Sequence, residues 1–123
     1  MVAHNGIIEN FMALRRQLME EGHKFVSETD SEVLAHLIEK YYKGDLKAAV
    51  IEATKRVEGA YAIAVIHKDH PEEIVCARKE APLLVGLGND ENFVLLMLLL
   101  FFSILARLFI LKTLTVLLLN VIA

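Results

Sequence analysis

Residues 59–79 read GAYAIAVIHKDHPEEIVCARK. Ala60 to Ile66 is apolar at every position, with no polar residue on either alternating face. A strand with one wet face alternates; a strand apolar throughout is covered on both sides. Gly59 breaks the preceding helical pattern, and Asp69-His70-Pro71 carries turn chemistry. Glu72 to Arg78 then resumes as a strand, so the stretch predicts a hairpin at the centre of a layered domain.

The flanks say what covers it. Downstream, Pro82 opens a third strand, LLVGLG, and Gly88-Asn89-Asp90 predicts a turn toward Phe93. Upstream, Asp45 can cap a helix with Leu46, Ala49, Val50, Ala53 and Val57 inward, and Gly44 closes the helix before it. That earlier helix follows Thr29-Asp30-Ser31-Glu32, the Thr-x-x-Glu spacing of a capping box, and aligns Leu34, Leu37, Ile38 and Tyr41 on one face. Lys24 to Ser27 is short and β-like. Before it, Asn10 can cap a helix with Phe11, Leu14 and Leu18 on one side and Gly22 at its end. Val2-Ala3-His4 reads as the end of a strand, and Asn5-Gly6 as a turn. Helices followed by a run of antiparallel strands give an α+β fold class. A sheet buried on both faces needs more cover than three helices supply, so the expected domain is incomplete.

Composition narrows the function. All but two of the 29 charged residues precede Val94, and that part is mildly acidic with no basic stripe. Nucleic acid is therefore not an expected partner. One cysteine, Cys76, excludes an internal disulfide and fits a reducing, cytoplasmic setting. In its strand, Cys76 reads as a packed thiol. Polar residues from His4 to Asn10 interrupt any apolar leader. His23, His36, His67 and His70 show no paired ligand spacing, so neither a metal nor another cofactor is expected.

Chemistry concentrates in HNGIIEN, residues 4–10, and in FVSETDSEVLAHLIEKYY, residues 25–42. Asn5 supplies a side-chain amide. Gly6 supplies a backbone N–H that a ligand can approach closely, because no side chain intervenes. Two donors converging on one oxygen make an oxyanion hole. An Asn-Gly pair is also an ordinary turn. Asp30 at a helix start can simply complement the helix dipole, or can receive a ligand's ammonium group. His4, beside the motif, reads as structural.

Together these segments resemble the glutamine amidotransferase domain of the glucosamine-6-phosphate synthase family. VAHNGIIEN, LRRQL with EGHKFVSETDSEVLAHLIE, GAYAIAVIHKDHPEEIVCARK and PLLVGLGNDENF occur in that order, covering Val2 to about Val94. The resemblance implies a class II, N-terminal-nucleophile hydrolase, an αββα sandwich of four layers that is incomplete here. It implies release of ammonia from glutamine, and its use on fructose 6-phosphate by a separate isomerase domain to make glucosamine 6-phosphate. It also implies a homo-oligomeric parent. Asn5 and Gly6 match the oxyanion pair; Gly6 and Asp30 match glutamine contacts, Asp30 taking the α-ammonium. The alternative within the class is the purine-pathway amidotransferase. The family's nucleophile, an N-terminal cysteine, and its carboxylate-gripping arginine would lie well upstream. Cys76 has no terminal amine and matches neither, so residues 1–123 alone are expected to be inactive.

The domain expectation is residues 1–94 as a partial amidotransferase domain and residues 95–123 as a Leu-rich, helical tail. From Val94 to Ala123 the only charges are Arg107 and Lys112. Where the family continues with an Ala-Ser-Asp phrase, this chain has Leu95-Leu96-Met97. The codons CTT CTG ATG preceded by G read Ala-Ser-Asp when the frame moves by one base. Allowed codons for Leu98 to Ile104 extend the phrase to Ala-Pro-Ala-Leu-Leu-Gln-His. The tail is therefore expected to be an out-of-frame translation. The rivals are a membrane span over Phe93 to Leu111, which must bury Arg107, and an interaction protein whose apolar tail oligomerises. A membrane partner is the less expected of these outcomes.

Overall fold

The computed structural model describes residues 1–87, 91–100, 103–112 and 115–120. The central hairpin is β2, Tyr61–His67, and β3, His70–Lys79. Its register runs from Ala62 opposite Arg78 to Val65 opposite Val75, with an irregularity before His67 pairs with His70. The reversal is made by Lys68 and Asp69. His70 and Pro71 already belong to the strand, one step beyond the expected turn, at its exposed start. A proline, which lacks an N–H, is tolerated at such a position.

Both faces of the hairpin are covered, as its composition demands. Tyr61, Ile63, Val65, Val75 and Ala77 face one core with the helices. These are α1, Phe11–Glu20, α2, Asp30–Tyr41, and α3, Leu46–Thr54. Leu14 and Leu18, then Val33, Leu34, Leu37 and Ile38, then Leu46, Ala49, Val50 and Ala53 are their buried positions. Each fully buried leucine or valine contributes about 1.5–3 kcal/mol by leaving water. The opposite face carries Ala3, Ala62, Ala64, Ile74 and Cys76, packed with Ala81 and Val94. Most of these side chains are small, which lets a second sheet approach.

β1, Val2–Gly6, lies antiparallel along β2, so the first sheet runs β1-β2-β3-β7, with β7, Thr115–Asn120, parallel to β3. The second sheet is β4, Leu83–Leu87, β5, Glu91–Leu100, and β6, Ser103–Lys112, all antiparallel. Val94 of β5 is fully buried against the first sheet. The chain is α+β.

Several local expectations change. Asn5 and Gly6 form no turn; they end β1, with Gly6 opposite Tyr61. Lys24 to Ser27 forms no strand. The tail described after Val94 is strand, not helix. An unbroken apolar run has no period that separates a buried helix from a buried strand. Here the run starts inside β5, already paired with β4 from Val85 opposite Val94, and continues that ladder. The expected turn at Gly88-Asn89-Asp90 falls outside the described residues. Among the described residues no helix is long and apolar enough to cross a membrane.

Candidate oxyanion and ammonium site

The three residues singled out by sequence converge on one end of β1. Paired residues in an antiparallel ladder alternate between those that exchange hydrogen bonds and those that do not. Ile7 N–H donates to the Ala60 carbonyl at 3.1 Å, and Glu9 N–H to the Glu58 carbonyl at 2.9 Å. Ile66 N–H donates to the Met1 carbonyl at 3.0 Å. Odd-numbered residues of this segment therefore bond toward β2. Asn5, opposite Ala62, is one of them, so its carbonyl points to β2. Across the trans peptide, the Gly6 N–H points the other way, off the outer edge. Among the described residues β1 is an edge strand of its sheet, and this N–H is not consumed by the β1–β2 ladder.

Asn5 adds a second donor. Strand alternation puts its side chain on the face that carries Ala3, toward the second sheet. It is buried, and its Nδ2 has no hydrogen-bond partner among the described residues. A buried donor without a partner costs roughly 1–3 kcal/mol, so it is a strained feature in search of an acceptor.

Asp30 occupies the same outer edge. Its Oδ2 accepts from the Ile8 N–H at 3.1 Å. Ile8 is two residues beyond Gly6, so the carboxylate meets the chain just past the end of β1. The carboxylate is a quarter exposed, which leaves it able to receive a cation. His4 Nδ1 lies 3.0 Å from Ser31 Oγ and 3.8 Å from Asp30 Oδ1. His4 thus ties β1 to the start of α2.

The loop leading to Asp30 is held by Glu32. Thr29 is the N-cap residue of α2, but its side chain makes no capping bond. Glu32 reaches past it to accept from Val26 N–H at 2.7 Å, from Ser27 N–H at 2.6 Å and from the Ser27 hydroxyl. The capping box of the sequence is thus rebuilt one loop upstream. The Ser27 hydroxyl first, then the Val26 N–H, push the Glu32 carboxyl from 4.5 down to about 2. A depressed folded-state value stabilises above the unfolded value and is lost as the acid protonates. Stability is therefore expected to fall between pH 4.5 and about 2. Urea midpoints across that window should show a shallower acid slope in Glu32→Gln; an unchanged slope would discard the linkage.

Asn10 does not cap α1 with its side chain. Its amide instead donates to the Arg56 carbonyl at 2.8 Å and accepts from the Glu58 N–H at 3.0 Å. It clamps the segment entering β2 against the site. Cys76 is fully buried between the sheets, and burial pushes its thiol up to about 12. A thiol so protonated is a poor nucleophile. The folded chain is expected to resist Ellman's reagent until denaturant is added; rapid native labelling would contradict this.

A cluster that sequence reasoning missed lies away from this edge. His23 Nδ1, His36 Nδ1 and Glu39 Oε2 come together where the end of α1 meets α2. His36 and Glu39 are three apart on one helix, a spacing visible in the sequence. His23 comes from another element, so its arrival was not.

The fold is an α+β framework in which Asn5, Gly6 and Asp30 lie at one end of β1. The family model for the glutamine amidotransferase domain matches residues 1–96. The chain belongs to that family. It is 57% identical over 93 residues to the glutamine–fructose-6-phosphate aminotransferase [isomerizing] of Caldanaerobacter subterraneus subsp. tengcongensis, covering 76% of this chain and 15% of that protein. It is 60% identical over 90 residues to the enzyme of that name from Thermus thermophilus, covering 73% and 15%. The chain thus spans about 15% of the length of these curated relatives. Among solved structures, the glutamine phosphoribosylpyrophosphate amidotransferase of B. subtilis, complexed with ADP and GMP, superposes with a TM-score of 0.64. At 22% identity, over 86% of this chain and 28% of that one, it shares the fold.

Proposed function

We propose that residues 1–94 are part of the glutaminase half of a glutamine–fructose-6-phosphate aminotransferase, which takes ammonia from glutamine for the synthesis of glucosamine 6-phosphate. The carrying observation is the edge of β1: the buried Asn5 amide without a partner and the outward Gly6 N–H, with Asp30 farther along. An oxyanion formed at the glutamine side-chain amide would accept from Asn5 and Gly6. Asp30 would take the α-ammonium and Gly6 would line the substrate. The sugar enzyme is favoured over the purine-pathway one because identity is 57% and 60% to two relatives of the first kind and 22% and 30% to two solved structures of the second. The helix–sheet–sheet arrangement fits three layers of an αββα N-terminal-nucleophile sandwich. A cytoplasmic, homo-oligomeric enzyme fits the same reading.

Residues 1–123 contain no cysteine placed to act as nucleophile. As a purified polypeptide they are expected to release no ammonia from glutamine. The test is a chimera in which residues 1–94 replace the matching segment of the Thermus thermophilus relative. Glutamate release within about tenfold of the parent, a difference of about 1.4 kcal/mol in the barrier, supports the reading. A folded chimera without glutaminase activity rejects it.

Residues 95–123 are read as an out-of-frame translation, a reading supported by the family match ending at residue 96. The nucleotide sequence decides. A shifted frame after codon 94 that does not encode an Ala-Ser-Asp-like continuation rejects it.

A further inference from the structure

The geometry points to a divalent metal site, of the kind that takes zinc, formed by His23, His36 and Glu39, which lies outside the amidotransferase edge. His23 Nδ1 and His36 Nδ1 are 3.2 Å apart, His36 Nδ1 and Glu39 Oε2 3.3 Å, and His23 Nδ1 and Glu39 Oε2 3.5 Å. A tetrahedral zinc holds nitrogen and oxygen ligands at about 2.0–2.2 Å, which sets neighbouring donors about 3.3–3.5 Å apart. The three separations form a triangle of that size, one face of a tetrahedron, leaving a fourth position toward the open cleft lined by Gly22, Lys24 and Glu21.

The donors sit on a rigid frame. His36 and Glu39 share one side of α2. His23 is fixed by the ending of α1: its N–H bonds to the Leu18 carbonyl at 2.9 Å, and the Gly22 N–H to the Met19 carbonyl at 3.0 Å. This is the paired closure of a Schellman motif, and it sets His23 just past the helix end, facing α2. Behind His36, Nε2 stands 3.5 Å from Glu32 Oε1. A carboxylate there favours the proton on Nε2 and leaves Nδ1 free to ligate, the arrangement seen behind metal-bound histidines. The two ring nitrogens stand at hydrogen-bond distance, with one donating to the other according to tautomer. A bound cation would take the place of that shared proton, and the exposed Glu39 supplies negative charge.

Two imidazoles and one carboxylate suit zinc or cobalt better than calcium or magnesium, which take oxygen ligands. The site joins the loop before Asp30 to two helices, so occupancy would brace that loop.

The test uses the 123-residue chain with zinc in competition against a chromophoric chelator, and with cobalt as a spectroscopic probe. The expected result is one zinc per chain and the visible absorption of low-coordinate cobalt. His23→Ala, His36→Ala and Glu39→Ala should each weaken zinc at least tenfold, while His67→Ala/His70→Ala should not. If His23→Ala binds as the parent does, or if the double variant is the one that loses metal, the assignment is wrong. The cobalt spectrum of the unmodified chain stands independently of whether any variant folds. An octahedral, weakly absorbing spectrum identical to aqueous cobalt overturns the site by itself.

Discussion

Gly6→Ala is expected to cost the chain much of its stability, about 2–6 kcal/mol. Two terms add. Gly6 has a φ of +110°, which a residue with a side chain reaches at a cost of about 1–3 kcal/mol. A Cβ built there would lie 2.2 Å from the Ala60 carbonyl oxygen and 2.8 Å from the Tyr61 Cα. Both are backbone atoms, of the residue entering β2 and of its first residue, so no rotamer relieves the clash. Forced overpacking of this kind adds about 1–3 kcal/mol more. Against a total stability of roughly 5–15 kcal/mol, that loss moves a urea midpoint decisively. Gly22→Ala is the control. Gly22 also has a positive φ, +96°, but an added Cβ meets nothing within 4 Å. Equal destabilisation by the two substitutions would refute the steric account. Gly59 is the mirror of Gly6 on the facing segment: its φ is +118°, and its Cβ would lie 2.2 Å from the Ile7 carbonyl oxygen. The two glycines let the end of β1 and the segment entering β2 close up beside Asn5.

Much of this was legible in the sequence, and the rest failed for identifiable reasons. AYAIAVI announced a strand covered on both faces because composition alone encodes that demand. Helix faces such as Leu34, Leu37 and Ile38 followed from period, and Gly22 marked a true helix end. The sequence singled out Asn5, Gly6 and Asp30, but not the arrangement that brings them to one end of β1. The ladder parity that turns the Gly6 N–H outward depends on pairing with residues more than fifty positions away. Asn-Gly was read as a turn because both residues favour turns locally; the pairing of β1 with β2 overrides that preference. Glu32 illustrates a subtler miss. The Thr29-x-x-Glu32 spacing is present, but Val26 and Ser27 offer three donors where a capping box offers one. The tail misled in a different way. Its leucines favour helices in isolation, while an already paired β5 gives the same backbone a ladder to continue. The His23–His36–Glu39 cluster needed the docking of α1 against α2, which period and spacing do not report.

The second large effect is catalytic, and it is separable from folding. In the chimera carrying residues 1–94, Asn5→Ala is expected to lower kcat for glutamine hydrolysis by about 10²–10³, the usual loss when one oxyanion donor is removed. KM should move little, because the amide acts on charge that develops only in the transition state. A merely structural asparagine would behave differently. Deleting a well-bonded buried amide strands its partner and destabilises the fold. The Asn5 Nδ2 has no partner to strand among the described residues, so Asn5→Ala should leave the melting temperature unchanged or slightly raised. Asp30→Asn should show the opposite kinetic signature. Asparagine retains an oxygen for the Ile8 N–H, which Asp30 Oδ2 accepts at 3.1 Å, so the loop stays in place. The charge that would attract an α-ammonium is gone, and a charge-assisted hydrogen bond of about 1.5–3 kcal/mol corresponds to a rise in KM of roughly 10- to 100-fold. If Asn5→Ala keeps kcat within threefold of its parent while remaining folded, the β1 edge is not the oxyanion site. If Asp30→Asn lowers kcat alone and leaves KM untouched, its carboxylate does not hold the substrate's ammonium. Loss of turnover at Asn5 and loss of affinity at Asp30, with neither melting the fold, is the pair of results that only a ligand spanning that edge would produce.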